Sequence, residues 1–428
     1  MLMKNKPTIA VIGAGSRGLY SYPPYILKHP DKAAIVAVAE PREFFRNEMV
    51  RQFDIAPANI FTDWRQLLSA PRLADAVMIT VQDELHKDIA VAAANKGYDI
   101  LLEKPMAVTA ADCMEIYNAV KKNGVKLCVC HVLRYAPFFV KVKEIIDSGV
   151  IGEVATIQHT EGVGWWHQAH SYVRGNWRNE KLSSFMLLAK SCHDMDILSW
   201  WVGKKCVSVA SFGHLKHFKA ENKPACATDR CMTCPLADDG CSYSAKKFYM
   251  EMFDKSPREW PINVLVSEFT REALIEALNT GQYGRCVYAC DNDVVDNQVV
   301  IMDFKDGVTA NFTMTAFTPG GRQVKVMGTE GCIEGDEKTL RAFSFRTKKW
   351  QDYDLASKSG DVSDGHGGGD FGLMAAFIEA LQYDDESRIR SGADQTISSH
   401  LMTFAAEEAR LTNKVVVMDE FVRSLKKD

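Results

Sequence analysis

Over the first third of the chain, short unbroken apolar runs alternate with amphipathic stretches, and each run ends in a polar or glycine-rich turn. Thr8 to Ile12, Ile35 to Ala39, Ala76 to Thr80, Tyr98 to Leu102 and Lys126 to His131 have the length and composition of strands buried on both faces. A shorter run, Asn59 to Thr62, lies between the second and third. The intervening segments read as helices. One runs from Glu84 to Asn95 and stops at Gly97. The next begins behind Thr109, a capping residue, and closes at Asn123-Gly124. Strand–helix alternation of this kind predicts a doubly wound parallel sheet.

Beyond Arg134-Tyr135-Ala136-Pro137 the period changes. Ser184 to Val202 is strongly apolar, ends at Gly203 and predicts one helix. Val294 to Phe304 and Val308 to Phe317 flank the hairpin turn Lys305-Asp306-Gly307. Val324 to Met327 and Ile333 flank Gly328-Thr329-Glu330-Gly331, and Arg341 to Arg346 and Trp350 to Leu355 flank Thr347-Lys348-Lys349. This is a meander, hence a second, mostly antiparallel sheet. Asp364 to Asp370, rich in glycine, precedes an apolar helix from Phe371 to Leu381, with Asp370 expected as its N-cap. The expected class is α/β plus α+β, with boundaries at 1–133, 134–365 and 366–428. A length of 428 residues makes more than one domain the default.

Candidate chemistry gathers at the strand ends. Gly13-Ala14-Gly15-Ser16-Arg17-Gly18 follows the first strand, and Glu40 ends the second. Gly13 allows the tight turn, Gly15 the approach of a diphosphate, and Gly18 close packing of helix on strand. Glu40 is placed to accept from the adenosine ribose. A carboxylate there favours NAD over NADP, although Arg42 and Arg17 could pair with a 2′-phosphate. In an open parallel sheet ligands bind beyond the carboxyl ends of the strands, so Gly13, Glu40, Thr80, Glu103, Lys104 and His131 should border one crevice. Lys104 reads either as a partly desolvated lysine that polarises a carbonyl or relays a proton, or as a solvated partner of Glu103. Asp196, one turn beyond His193, could orient its imidazole.

Together, the glycine loop, Glu40, Thr80-Val81-Gln82-Asp83 with His86, Glu103-Lys104-Pro105 and Ser191-Cys192-His193-Asp194-Met195-Asp196 resemble the glucose-fructose oxidoreductase / inositol dehydrogenase / MocA (Gfo/Idh/MocA) family. The resemblance implies an N-terminal Rossmann domain that binds NAD(P). It also implies a C-terminal domain on a large open-faced sheet that often supports homo-oligomers, here a dimer or tetramer. Gln82 and His86 then join the cofactor site, and Lys104 and His193 flank the hydroxyl being oxidised. Many relatives carry an aspartate where this chain has Ala189, so the proton relay must differ.

The segment Glu161 to Trp177 holds Trp165, Trp166, His167, His170, Tyr172, Arg174, Asn176 and Trp177, a composition suited either to a carbohydrate pocket or to interface packing. His170 and Arg174 are the leading substrate contacts, with Tyr172 and Trp177 behind them. His366 could reach the site from its glycine loop, which serves equally well as a plain linker. Cys226, Cys231, Cys234 and Cys241 are open to a structural metal, to a disulfide or redox-labile thiols, or to simple packing, and no metal is expected in the active site.

Composition narrows the classes. A net charge of −4 gives no electrostatic case for nucleic acid or anionic membrane, and no apolar run approaches the ~20 residues of a membrane span. The twelve cysteines are not a disulfide scaffold, which suggests reduced thiols and a cytoplasmic address. Three functions remain: NAD(P)-dependent oxidation of a secondary alcohol on a sugar, sugar acid or cyclitol; glycoside hydrolysis through transient oxidation at C3; and a cofactor-binding sensor without catalysis.

Overall fold

The computed structural model describes residues 6–355 and 366–425; Asp364 and Gly365 of the glycine loop lie outside them. Six strands form the first sheet: β1 (Thr8–Ile12), β2 (Ala34–Ala39), β3 (Ile60–Phe61), β4 (Ala76–Ile79), β5 (Asp99–Leu102) and β6 (Leu127–Val129). They stand in the order β3-β2-β1-β4-β5-β6 with every pair parallel. The order reverses between β1 and β4, where a doubly wound sheet opens its crevice.

Both faces are covered, which explains the unbroken apolar strands. Alternate residues Ala10, Ile12, Val77, Ile79, Ile100 and Leu102 pack with Ile89, Ala93, Ile116 and Val120 of the helices His86–Asn95 and Ala110–Asn123. Thr109 caps the latter by accepting from the Asp112 amide at 3.0 Å, and Gly124, at φ 62°, ends it. The opposite face, with Ile9, Val11, Val38, Met78, Leu101 and Cys128, is closed by the far end of the chain. Leu373, Phe377, Ile378 and Leu381 of the helix Gly369–Tyr383 lie on it. Burial of each such side chain contributes about 1.5–3 kcal/mol. Asp370 is not the cap of this helix. Gly368, at φ 90°, holds the N-cap position and Asp370 turns inward within the first turn, because the half-buried Arg17 guanidinium awaits it.

The second sheet has nine strands: β7 (Val154–Gly162), β8 (Cys206–His214), β9 (Asn297–Phe304), β10 (Thr309–Thr315), β11 (Gly321–Gly328), β12 (Gly331–Gly335), β13 (Leu340–Ser344), β14 (Lys349–Asp352) and β15 (Val416–Val417). Their order is β14-β13-β12-β11-β7-β10-β9-β8-β15, antiparallel except for β7 beside β10. Its inner face, including Ile157, Val300, Met302, Phe312 and Val326, shares a core with Ile197, Leu198 and Trp201 of the helix Cys192–Val202 and with Leu401 and Ala405 of the helix Ala393–Thr412. The single helix expected over Ser184 to Val202 is two, Met186–Ala189 and Cys192–Val202. The chain breaks at Lys190-Ser191, where both side chains turn to Glu161.

Residues 215–296, between β8 and β9, form an inserted lobe with helices Ala245–Lys255, Ile262–Leu265 and Arg271–Thr280 around a small core of Tyr249, Ile262, Leu274, Leu278 and Tyr283. Nothing in the apolar pattern had marked these helices. Among the described residues, no helix is long and apolar enough to cross a membrane.

Arg134, just past β6, fastens the two sheets together. Its guanidinium grips both oxygens of Asp196 at 2.6 and 2.9 Å and donates to the Arg390 carbonyl at 2.7 Å, with Arg134 and Asp196 both buried. Arg134→Met is expected to lower stability by about 3–5 kcal/mol, because it strands a buried carboxylate, and much of the loss should return in the double variant with Asp196→Leu. Urea unfolding midpoints of the three variants measure this.

Candidate active site

The glycine loop lies at the carboxyl end of β1. Gly13 has φ 89°, and a Cβ there would come within 2.8 Å of the Thr80 carbonyl oxygen. A Cβ on Gly18 would lie 2.0 Å from the Gly13 oxygen. Those two glycines are needed by the protein's own packing. Gly15 is different: its added Cβ would meet only the flexible tip of Arg42, at 3.3 Å. Bareness that packing does not require is what a closely approaching diphosphate does require, so the loop fits a dinucleotide. Ser16 and Arg17 open the turn that follows, Ser16–Ser21, which is π-helical. The Thr80 hydroxyl ties the loop to β4 by donating to the Gly13 carbonyl.

Glu40 is buried and accepts from the Ala14 amide at 2.7 Å and from the Arg42 amide at 2.9 Å. The Arg42 side chain curls back onto the same carboxylate. Burial alone would raise its pKa, but the Arg42 hydrogen bonds and charge outweigh that and hold it below the usual range.

Three residues assigned to the cofactor by sequence, Arg17, Glu103 and His86, are turned elsewhere. Arg17 donates to Glu103 at 2.7 Å and, through two nitrogens, to both oxygens of Asp370 at 2.9 Å. Glu103 also accepts from the Tyr22 hydroxyl and the Lys104 amide. Sequence could not foresee this clamp, because its third member comes from residue 370. His86 is likewise a brace: Nδ1 lies 2.8 Å from the Pro105 carbonyl oxygen and Nε2 3.3 Å from that of Val81. Gln82 is exposed at the start of the following turn.

Lys104 reaches from the end of β5 to the helix break and donates to the Ala189 carbonyl at 2.8 Å. That carbonyl is available because the helix stops there. His193, 5% exposed, opens the next helix, and its Nδ1 has no partner. Asp196 does not orient it, since that carboxylate is consumed by Arg134 and by Ser399 at 2.9 Å. Beneath His193 lies His131 at 5.7 Å, with neither ring nitrogen bonded, and then His400, 5.3 Å from His131. Burial drives His193 well below its ordinary pKa, and the charges of Lys104 and Arg322 add to the effect. His193 is therefore a neutral imidazole, able to take a proton.

The far wall comes from the second sheet. Glu161 and Asp194 share Arg322 at 2.7 Å each; Lys190 stands 3.1 Å from Glu161, and His159 Nε2 2.7 Å from Asp194. His366 reaches the site, with its ring 6.1 Å from His193 and its Nδ1 3.2 Å from Asp370. The expected substrate contacts His170 and Arg174 are spent elsewhere. His170 Nδ1 lies 2.7 Å from the Tyr249 hydroxyl, and its ring stacks on Tyr283 at 4.9 Å. Arg174 donates to the carbonyls of Arg285 and Tyr243 at 2.7 and 2.6 Å. Both anchor the inserted lobe, which sequence reading did not see and which supplies all four partners. Trp177 donates to Asp83 at 3.1 Å. Cys231, Cys234 and Cys241 border a cavity of about 210 Å³ with Arg174 and Cys286. Their thiols are free, Cys226 is exposed, and among the described residues no group of three or more His, Cys, Asp or Glu is placed to hold a metal ion.

Comparison with known proteins agrees with this layout. The family model described as an oxidoreductase family, NAD-binding Rossmann fold, matches residues 8–131, and its companion, the C-terminal alpha/beta domain, matches residues 143–417. The chain belongs to the Gfo/Idh/MocA oxidoreductase family. Within it, the oxidoreductase YteT of Bacillus subtilis is 25% identical over 309 residues, 69% of this chain and 70% of that one. The 2,7-anhydro-N-acetylneuraminate hydratase of Escherichia coli is 27% identical over 146 residues, 34% of this chain and 38% of the hydratase. A levoglucosan dehydrogenase solved with NADH and levoglucosan superposes with a TM-score of 0.69 over 97% of this chain and 100% of that chain, at 19% identity, which shows a shared fold. The N-terminal domain of this family member is thus an NAD-binding Rossmann domain, and the protein is an oxidoreductase.

The buried imidazoles make stability depend on pH. Burial lowers His131 from 6.5 to about 4, and His170 and His400 to about 3. Below 6.5 the unfolded chain takes up protons that the folded one refuses. Stability is therefore full above pH 7 and falls as pH drops toward 4, by up to about 1.4 kcal/mol per unit for each histidine. Urea midpoints at pH 7 and pH 5 should differ accordingly, and His400→Asn should flatten the dependence if the variant folds.

Proposed function

We propose that this enzyme oxidises a secondary alcohol of a sugar, sugar acid or cyclitol, with NAD preferred to NADP. The observation that carries the reading is the convergence of Lys104, held on the Ala189 carbonyl, with the neutral, half-free imidazole of His193 at the mouth of the glycine cradle. The nicotinamide held there supplies a hydride acceptor. Gly13, Ala14, Gly15, Ser16, Gly18, Glu40, Thr80 and Gln82 form its cradle. Arg17, Glu103 and His86 keep that cradle in shape from behind. His193 takes the hydroxyl proton, and Lys104 stabilises the oxygen as the carbonyl forms. His366 contacts the substrate in place of His170 and Arg174. A buried, ionised Glu40 with Arg42 already committed to it repels a 2′-phosphate, which supports NAD.

A second reading, glycoside cleavage through a transient ketone, is favoured by the His167 imidazole and the Tyr172 hydroxyl, polar groups that make no hydrogen bond among the described residues and that a simple dehydrogenase does not need. The relative that is a hydratase supports it as well. The outer face of the second sheet supports a homo-oligomer: Phe212 is 59% exposed opposite Val299, with Ile301 beside them at 54%.

Lys104→Met should lower kcat/KM for polyol oxidation by about 10²–10⁴-fold while NAD affinity changes only a few-fold, read by steady-state kinetics and by titration calorimetry. Denaturing the purified protein and weighing the released cofactor tests the choice of NAD: bound NADP would overturn it. Stoichiometric NAD would also favour the transient-ketone reading, and an empty site an exchanging co-substrate. Phe212→Asp should shift sedimentation toward the monomer.

A further inference from the structure

The short helix Trp165–His167 leads from β7 into the π-helical turn Gln168–Arg174. Most polar side chains of this segment are spent on the protein, as His170 and Arg174 show. Two are not. Among the described residues, neither the His167 imidazole nor the Tyr172 hydroxyl makes a hydrogen bond. His167 is half-buried, and its ring is surrounded by those of Trp166 at 5.4 Å, Trp260 at 5.2 Å and Tyr172 at 5.8 Å. The Lys190 and Lys104 charges act on His167, and the Tyr172 ring lies 6.4 Å from that of Trp177, whose indole donates to Asp83 just beyond β4, so both stand at the rim of the crevice already described. Burial in this aromatic cage, with those cations around it, pushes His167 well below its ordinary pKa. An imidazole kept neutral and unpartnered at the edge of a catalytic crevice needs an explanation beyond packing.

Oxidising an alcohol requires one base, and His193 with Lys104 fills that role. A second neutral imidazole, delivered by a different element, is required only when a carbon-bound proton must also move. We propose that His167 is a second base of the site, which removes the proton from the carbon next to a ring carbonyl of a keto-sugar. The step rests on the site assigned above and is redox-neutral. The C–H bond breaks and its proton passes to the imidazole nitrogen. The electron pair moves into the bond to the carbonyl carbon, and the carbonyl oxygen becomes an enolate oxygen facing Lys104. The enolate then either takes a proton back at carbon or expels a β-substituent, whose oxygen takes the proton from the imidazolium. Tyr172 is placed to donate to that leaving oxygen. The substrate class is therefore a glycoside or anhydro-sugar with a leaving group two carbons from the oxidised centre.

The test is deuterium exchange, which needs no turnover. Methyl 3-keto-glycosides of the gluco and galacto series are incubated with the purified protein in D₂O, and loss of the C2 proton signal is followed by NMR. Wild-type protein is expected to exchange C2–H far faster than buffer. His167→Gln should slow saturating exchange by about 10²-fold or more, with an unchanged unfolding midpoint. Free imidazole should restore exchange to His167→Ala, a rescue that a merely structural role would not give. Wild-type exchange no faster than buffer with either sugar overturns the proposal. Unchanged exchange in both variants, or a variant altered only in KM, also overturns it. The two readings fail separately: exchange that depends on His167 in a protein that oxidises no polyol removes the dehydrogenase reading alone, and polyol oxidation without His167-dependent exchange removes this one alone.

Discussion

The ion pair between Arg134 and Asp196 carries the geometry of everything around it. Arg134 follows the last strand of the Rossmann sheet, and Asp196 lies one turn beyond His193 on the helix that packs the second sheet. Both are buried, so the pair is sustained only while each partner and the Ser399 hydroxyl stay in place. Buried pairs of this kind add little net stability over an apolar substitute, but breaking one is costly. Its effect is therefore to fix the register of the two sheets. The reach of Lys104 to the Ala189 carbonyl depends on that register, and so does the position of His193.

The same principle recurs at the other end of the crevice. Arg17, taken from the glycine loop, is half-buried between Glu103, beside Lys104, and Asp370, on the helix that closes the far face of the first sheet. Burial would favour neutral forms, but the Arg17 charge holds both carboxyl groups ionised. Three segments that border the cofactor are thereby clamped from behind, and none of the clamping charges is left to face a ligand. On the second sheet, Arg322 pairs with both Glu161 and Asp194, and Lys190 with Glu161; against burial, Arg322 holds Asp194 well below the usual carboxylate range, whereas at Glu161 burial outweighs the cations and pushes the carboxyl up. What remains for chemistry is a set of groups without ionic partners: Lys104 on a backbone oxygen, His193, His167 and Tyr172. A crevice whose fixed charges cancel suits a reaction that moves protons between neutral imidazoles and hydroxyls, since no strong local field pins the protons in place.

Much of this was legible in the residues, and for identifiable reasons. The parallel sheet announces itself because strands buried on both faces must be continuously apolar, and β2 and β4 are, as are β1 after Thr8 and β5 after Asp99. The meander from β9 to β14 is visible because its turns contain Lys305-Asp306-Gly307 and Gly328 to Gly331, where the chain must reverse. Thr109 and Gly124 bracket a helix by local hydrogen bonding alone. Apart from His86, which is braced by its near neighbours Val81 and Pro105, the misjudged residues share one feature, a partner distant in sequence. Asp370 meets Arg17, His170 meets Tyr249, Arg174 meets Arg285 and Tyr243, and Asp196 meets Arg134. The inserted lobe was invisible because its helices are short and polar, with a core of only a few side chains.

Sequence by itself determined the strand-and-helix order, the glycine cradle, the acid after β2 and the presence of Lys104 and His193, since each follows from local backbone preference or from chemistry carried by one short segment. The tertiary structure alone decided which of the many histidines, arginines and carboxylates are free to act. Sequence supplies an inventory of polar groups, whereas freedom is what is left after burial has forced each group to find a partner, and those partners are chosen by the packing of segments hundreds of residues apart.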